Sequence, residues 1–259
     1  MCLWCLCQWY GGCLFQVAFK VIVSSLGHIS IGISRCLLGD EVRYDGRGKY
    51  SRICCEQLAS YFQLVPICPE VEAGLPIPRP AVELIQAPYG VLIKGREECS
   101  LDVTHRLTTF CRHKTPSLTH LSGYVLTPRS PSCGVRSVTV KTTSGEIFKR
   151  GESGVFTQSL IQQFPFLPII EEPELADKLT LLTFEIRVMM YYFIQCNHLS
   201  ECIKAPATTV SDFVLQINAL PTKQSQMRIA NELLEGISFE RLHKFKVELR
   251  DCVSSLAAM

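Results

Sequence analysis

Three stretches of the chain are almost continuously apolar, and each is too short to form a helix of ordinary length. They span residues 29–34 (ISIGIS), 62–67 (FQLVPI) and 121–127 (LSGYVLT). Short apolar runs with turn-forming residues on both sides are typical of strands that are buried on both faces. The pattern predicts three buried strands, followed by an edge strand over residues 165–170 (PFLPII).

Longer segments carry apolar residues every three or four positions, which indicates helices. These helices are predicted over residues 100–115, with Ser100 or Asp102 as the N-cap, and over 154–164, 173–195, 206–217 and 228–252. Two other segments have patterns of their own. Residues 137–149 predict a hairpin that turns at Ser144 and Gly145. The three prolines at positions 76, 78 and 80 exclude a helix and predict that residues 72–85 form an extended loop.

Strands that alternate with helices predict an α/β fold with an open, mainly parallel sheet flanked by helices. The helices after residue 172 predict a C-terminal helical extension. We therefore divide the chain into a cysteine-rich leader over residues 1–28, a central domain over 29–172 and a helical extension over 173–259.

Composition narrows the class of protein. A net charge of +2 over 259 residues gives no overall basic field of the kind that binds nucleic acid non-specifically. The 14 cysteines are not regularly spaced, and the chain is longer than that of a typical protein held together by disulfides. The apolar leader lacks a basic start and contains polar and glycine positions, so we expect neither a signal peptide nor stable membrane insertion. Reduced thiols and a cytoplasmic location are the expectation.

Each of the three buried strands leads to a loop that carries a cysteine. These are Cys36, Cys68 and Cys133. Since loops at the carboxyl ends of parallel strands gather at one edge of the sheet, we expect the three thiols to converge. Three thiolates could hold zinc with an open fourth position, or a [4Fe-4S] cluster in which one iron keeps an exchangeable ligand. An open iron would be both a Lewis acid and a binder of sulfur.

The residues beside these cysteines suit an open site. Glu70 follows Cys68 by two positions and is a candidate general base. Ser130 and Ser132 flank Pro131 in the turn before Cys133, where hydroxyl groups can donate hydrogen bonds to cluster sulfur or to a substrate carbonyl.

Four ordered motifs carry a resemblance to a known family. They are SRCLLGDEVRYDG, VPICPEVEAGLPIPRP, the DVT at 102–104 and RSPSCG. Together they resemble the thiouracil desulfidases, formerly a bacterial domain of unknown function, whose two-domain relatives act on 4-thiouridine in transfer RNA. The resemblance covers residues 29–170.

The resemblance implies a [4Fe-4S] cluster held by Cys36, Cys68 and Cys133. It also implies that sulfur leaves a thiolated pyrimidine (2- or 4-thiouracil, or 4-thiouridine) without redox chemistry, and that water supplies the oxygen. Glu70 would transfer protons, and a serine of the turn, Ser130 or Ser132, would orient the base.

Three further residues are implied to face the substrate: Tyr44, Asp45 and Arg79. A tyrosine can stack on a base, and an arginine can bind a carbonyl or a phosphate. The expected partner is a small thiopyrimidine or thiolated nucleoside, with transfer RNA as a further candidate. The alternative from another class is a non-catalytic iron–sulfur sensor or sulfur carrier, in which Glu70 would be dispensable.

Overall fold

The computed structural model describes residues 29–98, 100–196 and 209–257. The leader predicted over residues 1–28 lies outside these ranges. Eight strands run in chain order: β1 Ser30–Ser34, β2 Gln63–Ile67, β3 Val82–Ala87, β4 Gly90–Gly95, β5 Leu121–Leu126, β6 Val138–Lys141, β7 Ile147–Glu152 and β8 Ile169–Glu171. They form two four-stranded sheets.

The first sheet has the strand order β2-β1-β5-β8, and every neighbouring pair is parallel. Its central strands, β1 and β5, carry two of the three predicted apolar runs, and all six residues of β5 are buried. The third run forms β2 at one edge of the sheet, where only Ile67 is buried, so the prediction of a strand buried on both faces is wrong for β2. The short β8 lies at the other edge, as its length and prolines predict. The open parallel sheet expected from the sequence is confirmed here, and its strand order places the ends of β2, β1 and β5 side by side.

The second sheet has the order β4-β3-β6-β7. Two antiparallel hairpins, β3 with β4 and β6 with β7, are joined through a parallel pairing of β3 with β6. The predicted hairpin over residues 137–149 is present, with Gly145 at a φ of 87° in its turn. The extended loop predicted over 72–85 is only partly correct, because β3 begins at Val82, just after the last proline. The segment from Val82 is a strand because it pairs with β4 and β6, which the local sequence does not reveal.

Seven α-helices lie in the described ranges, besides short 3-10 and π-helical turns: α1 Pro69–Glu72, α2 Thr104–Lys114, α3 Val155–Gln163, α4 Lys178–Cys196, α5 Thr209–Asn218, α6 Lys223–Leu234 and α7 Phe239–Ala257. Helix α2 begins later than predicted. The N-cap is Val103, so the prediction of Ser100 or Asp102 is wrong, although Asp102 accepts a hydrogen bond from the Thr104 amide at 2.9 Å. None of the helices in the described part of the chain has the length and apolarity that a membrane crossing requires.

The C-terminal segment differs from the prediction. The helix expected over residues 228–252 is two helices, α6 and α7, that are separated at Gly236. This glycine has a φ of 75°, a left-handed conformation that interrupts a right-handed helix. Helix α4 packs against β5 on one side and against α6 and α7 on the other, so that the extension continues the core of the first sheet.

A close approach between β1 and β5 shapes the centre of this core. Gly32 lies opposite Tyr124 in the strand register, and a Cβ atom added at Gly32 would lie 2.3 Å from the tyrosine ring. Tyr124 has no exposed surface, and its ring packs edge-on against Phe156 with 5.7 Å between centroids. Glycine is therefore required at position 32 so that the aromatic ring can cross β1.

Candidate active site

The three cysteines follow three adjacent strands of the parallel sheet. Cys36 lies in a 3-10 helix, Arg35–Leu38, directly after β1, and Cys68 is the residue after β2. Cys133 lies in the loop after β5. All three line one cavity of about 490 Å³. The structure thus brings the three predicted cysteines to the same edge of the sheet, where ligands bind in open α/β folds.

Burial governs the charge of these thiols. It raises the pKa of Cys36 to about 11, and it also raises the pKa of Cys68 and, further, that of Cys133. Mutual repulsion between the ionised forms adds to the rise, with Cys68 acting on both of the others. A buried thiol ionises readily only when positive charge stands beside it. Three thiolates at this position therefore require a cationic group.

Glu70 is held by two partners. Arg79 donates to Glu70 Oε2 from Nε at 2.9 Å and from Nη2 at 2.5 Å, and Ser132 Oγ donates to Glu70 Oε1 at 2.9 Å. The side chains of Arg79 and Glu70 are only 5% and 11% exposed. This two-point contact fixes the plane of the carboxylate. Arg79 and Glu70 also line the cavity, whereas the fully buried Ser132 lies behind Glu70.

Ser130 has a different role from Ser132. Its hydroxyl oxygen accepts hydrogen bonds from the Ser132 amide at 3.2 Å and from the Cys133 amide at 3.1 Å. These bonds close the turn that the Ser-Pro-Ser sequence predicts. Ser130 lines the cavity, and so it combines a turn-forming contact with access to the space beside the thiols.

Of the remaining two predicted residues, only Tyr44 reaches the cavity. Tyr44 lines the cavity and is 41% exposed, with the Arg43 guanidinium 5.9 Å from its ring centroid. Asp45 is not among the residues that line the cavity. It accepts a hydrogen bond from the Arg47 amide at 3.1 Å and pairs with Arg43 at 3.5 Å, contacts that stabilise the loop.

The sequence pattern did not reveal the positive charge around this cavity. Six basic residues line it, of which only Arg79 was predicted: Arg35, Arg43, Lys49, Arg79, Arg96 and Arg129. They come from several parts of the chain, and no local spacing links them. Five of the six, all except Arg129, pair with a carboxylate. Glu70 is the one carboxylate among the lining residues. The cavity therefore offers N–H donors to a ligand with acceptor oxygens, while ion pairs neutralise most of its positive charge.

Two adjacent carboxylates at the end of β8 were also missed. Glu171 Oε1 accepts from the Val135 amide at 2.6 Å and from Ser137 Oγ at 2.5 Å, in the loop that carries Cys133. Glu172 accepts from Lys49 Nζ at 2.9 Å and from Ser51 Oγ at 2.8 Å. Lys49 and Ser51 in turn bond to the backbone of the helix that contains Cys36. Hydrogen bonds to these two carboxylates at the end of β8 thereby hold the segments that contain Cys36 and Cys133.

A family profile decides what kind of protein this is. The profile of 2-thiouracil desulfurases matches residues 31–172, which is more than half of the chain. The chain belongs to the 2-thiouracil desulfurase family. The membership expected from the four motifs is thus confirmed, and so is the expectation that the protein is an enzyme.

Two further comparisons, with solved structures and with curated protein sequences, give one match. Among solved structures, the chain is similar to the [4Fe-4S]-dependent thiouracil desulfidase TudS, with 29% sequence identity and a TM-score of 0.45. The alignment covers 59% of this chain and 99% of that chain. A search of curated protein sequences finds no match.

The range that matches the 2-thiouracil desulfurase family contains every predicted site residue, from Cys36 to Cys133. It ends at Glu172, the second of the two carboxylates that brace the cysteine loops. Helices α4 to α7 lie beyond the match. The site is therefore built wholly within the family part of the chain, and the later helices contribute through their packing on β5.

Proposed function

We propose that the protein exchanges the sulfur of a thiolated pyrimidine for oxygen at the cavity beside Cys36, Cys68 and Cys133. The observation that carries this proposal is that three thiols from adjacent parallel strands share one cavity with a firmly held carboxylate, Glu70. Membership of the 2-thiouracil desulfurase family supports the reaction class.

The donor set fits an iron–sulfur cluster better than a single ion. Within the described residues, no three His, Cys, Asp or Glu side chains are grouped closely enough to hold one metal ion, so the zinc alternative has no geometric support. A [4Fe-4S] cluster accepts more widely spaced thiolates, because each cysteine binds a different iron. We propose Cys36, Cys68 and Cys133 as its ligands. Such a cluster would supply an open iron that acts as a Lewis acid with affinity for sulfur.

The part of the reaction assigned to the protein's own side chains is proton transfer. Exchange of C=S for C=O consumes one water and releases hydrogen sulfide, with no electron gained or lost. Arg79 occupies Glu70 Oε2 with two N–H groups, and Ser132 orients Oε1 with a single hydrogen bond. Glu70 Oε1 accepts a proton from the attacking water and returns it to the departing sulfur, the role of a general base and then a general acid.

Substrate recognition is proposed for the entrance of the cavity. Tyr44 is exposed enough to stack on a pyrimidine ring, and the basic residues around it can bind the carbonyl oxygens of the base. Ser130 can donate to a base while it holds the turn before Cys133. We propose a free thiopyrimidine or its nucleoside as the substrate, with thiolated transfer RNA as the macromolecular candidate.

A cytoplasmic location is part of the proposal. None of the cysteines in the described ranges forms a disulfide. Reduced cysteines and an oxygen-sensitive cluster both suit a reducing compartment.

The test is anaerobic reconstitution with iron and sulfide, followed by an iron count and incubation with 2-thiouracil, 4-thiouracil, 4-thiouridine and thiolated transfer RNA. We expect a loaded protein to release hydrogen sulfide and to abolish the near-ultraviolet thiocarbonyl absorption of at least one substrate. A loaded protein that leaves all four unchanged would exclude the desulfidase proposal. A loaded wild type that binds sulfur without releasing an oxo base, and that behaves the same after Glu70→Gln, would instead indicate the sensor or carrier alternative.

A further inference from the structure

The hydroxyl group of Tyr124 has no hydrogen-bond partner among the described residues, although it is fully buried. A buried hydroxyl without a partner destabilises the folded state. Phenylalanine would fill the same space without that cost. A tyrosine at the centre of β5 therefore indicates a partner that the described residues do not provide.

The surroundings of Tyr124 keep its ring in one position. Gly32 leaves the space in which the ring crosses β1, and Phe156 packs against the ring edge-on. A ring enclosed in this way cannot swing towards solvent, so the hydroxyl is directed at a fixed point in the core.

The contacts of Tyr124 place it next to the cysteine loops. Its ring lies over β1, the strand that leads to Cys36, and β5 itself leads to the loop of Cys133. Phe156, which packs edge-on against the ring, donates from its amide to the Ser132 carbonyl, directly before Cys133. Burial is the main cause that raises the pKa of the phenol. The raised pKa keeps the phenol protonated at neutral pH, and a protonated phenol is a hydrogen-bond donor.

We propose that the Tyr124 hydroxyl donates a hydrogen bond to a sulfur atom of the cluster held by Cys36, Cys68 and Cys133, and that this bond strengthens retention of the cluster. The inference rests on the proposed function, since it requires the cluster. Hydrogen bonds to ligand sulfur tune the affinity and the reduction potential of iron–sulfur sites. A buried water molecule is the competing partner, because it would also satisfy the hydroxyl.

The test compares the wild-type chain with Tyr124→Phe and with a matched control, Tyr191→Phe. Tyr191 is also buried, but it lies in α4, and its hydroxyl has a hydrogen-bond partner in Gln195. Three quantities are measured for each protein: the midpoint of thermal unfolding without iron, the rate at which the reconstituted cluster bleaches in air, and the reduction potential of the cluster.

For Tyr124→Phe, we expect the iron-free protein to unfold at the same temperature as the wild type or higher, because an unpaired hydroxyl has been removed. The cluster should bleach faster, on the order of tenfold. Its reduction potential should fall, because a hydrogen bond to sulfur stabilises the reduced, more negative state. The control Tyr191→Phe should show the reverse pattern, with a lower unfolding temperature and an unchanged cluster.

Two outcomes overturn the inference while leaving the proposed function intact. One is a Tyr124→Phe cluster with wild-type lifetime and potential. The other is a fall in the unfolding temperature of iron-free Tyr124→Phe, or its failure to fold, which would place a water molecule at the hydroxyl. A wild-type chain that takes up no cluster refutes the proposed function itself, and the inference with it.

Discussion

Ser132 donates its hydroxyl hydrogen to Glu70 Oε1 over 2.9 Å, and this bond joins the loop after β2 to the loop after β5. Ser132 is fully buried, whereas Glu70 reaches the cavity. The carboxylate that lines the cavity is therefore oriented from behind by a residue in the same turn as Cys133. The proposed proton transfer and the proposed cluster binding would be coupled through this one hydrogen bond.

This contact predicts non-additive effects on turnover. Glu70→Gln should lower kcat on the order of a hundredfold, because a general base is lost. Ser132→Ala should lower kcat about tenfold, because the carboxylate loses its orientation. The double variant should be little slower than Glu70→Gln alone, since the serine acts through the glutamate. Steady-state rates at matched iron content check this, and factors that simply multiply would contradict the proposed coupling.

Arg79 predicts a large effect on stability. It is buried and paired with Glu70, so Arg79→Ala leaves a buried carboxylate without its partner and should cost about 3–5 kcal/mol of unfolding free energy. Arg79→Lys should also destabilise, because one ammonium cannot replace both the N–H groups on Glu70 Oε2 and the further bonds of the guanidinium to backbone carbonyls. Urea unfolding of the iron-free protein measures both. The control Arg52→Ala removes an exposed pair with Glu56 and should leave the stability almost unchanged.

The three proposed cysteine ligands predict a sharp contrast in iron content. Serine at Cys36, Cys68 or Cys133 should reduce the iron retained after reconstitution and gel filtration. Cys111→Ala is the matched control, since Cys111 is at least as buried as these cysteines but lies in α2 and does not line the cavity. Equal iron loss in all four variants would show a general folding defect and would remove the support for this ligand set.

Glu171 predicts a local change in the loop of Cys133. Glu171→Ala removes the acceptor for Val135 and Ser137, so the loop should open more often while the core remains folded. Alkylation of Cys133 in the iron-free protein should accelerate on the order of tenfold, while alkylation of Cys111 should not change. Glu171→Gln keeps an acceptor oxygen and should retain most of the protection. Parallel acceleration at Cys111 would indicate global destabilisation instead.

Asp102 predicts a pH-dependent contribution to stability. Hydrogen bonds from the Thr104 side chain and amide lower the pKa of Asp102 below the usual value of about 3.9. Its stabilising contribution is therefore complete above that value and is lost as pH falls through the lowered pKa. The difference in unfolding temperature between the wild type and Asp102→Asn should shrink from pH 6 towards pH 3. A constant difference across this range would rule out the ionised carboxylate as its source.

The convergence of the cysteines could be predicted because it follows from topology. Each thiol comes after a short apolar strand, and the carboxyl ends of parallel strands share one edge. The pairing of Glu70 with Arg79 could not be predicted, since the two residues are brought together by the path of a proline-containing loop. The same limit applies to Glu171, whose partners lie in a different loop.

Errors in the predicted elements have local causes. Strand β3 was missed because the prolines just before Val82 predict a loop. Its partners, β4 and β6, both come after it in the chain, so nothing before Val82 indicates a strand. The helix expected over residues 228–252 is interrupted because Gly236 adopts a positive φ, which a continuous apolar period does not reveal. In both places the sequence pattern pointed to the wrong structure, because pairing with later strands and the positive φ of a glycine are not visible in it.

The strand order β2-β1-β5 also dictates when the metal centre can be built. Parallel neighbours join parts of the chain that are far apart in sequence, and such contacts form late in folding. A chain that has not yet incorporated β5 carries two of the three proposed ligands and lacks the edge on which they meet. The proposed cluster can therefore be completed only after β5 has joined the sheet, so its assembly would report that this sheet has formed.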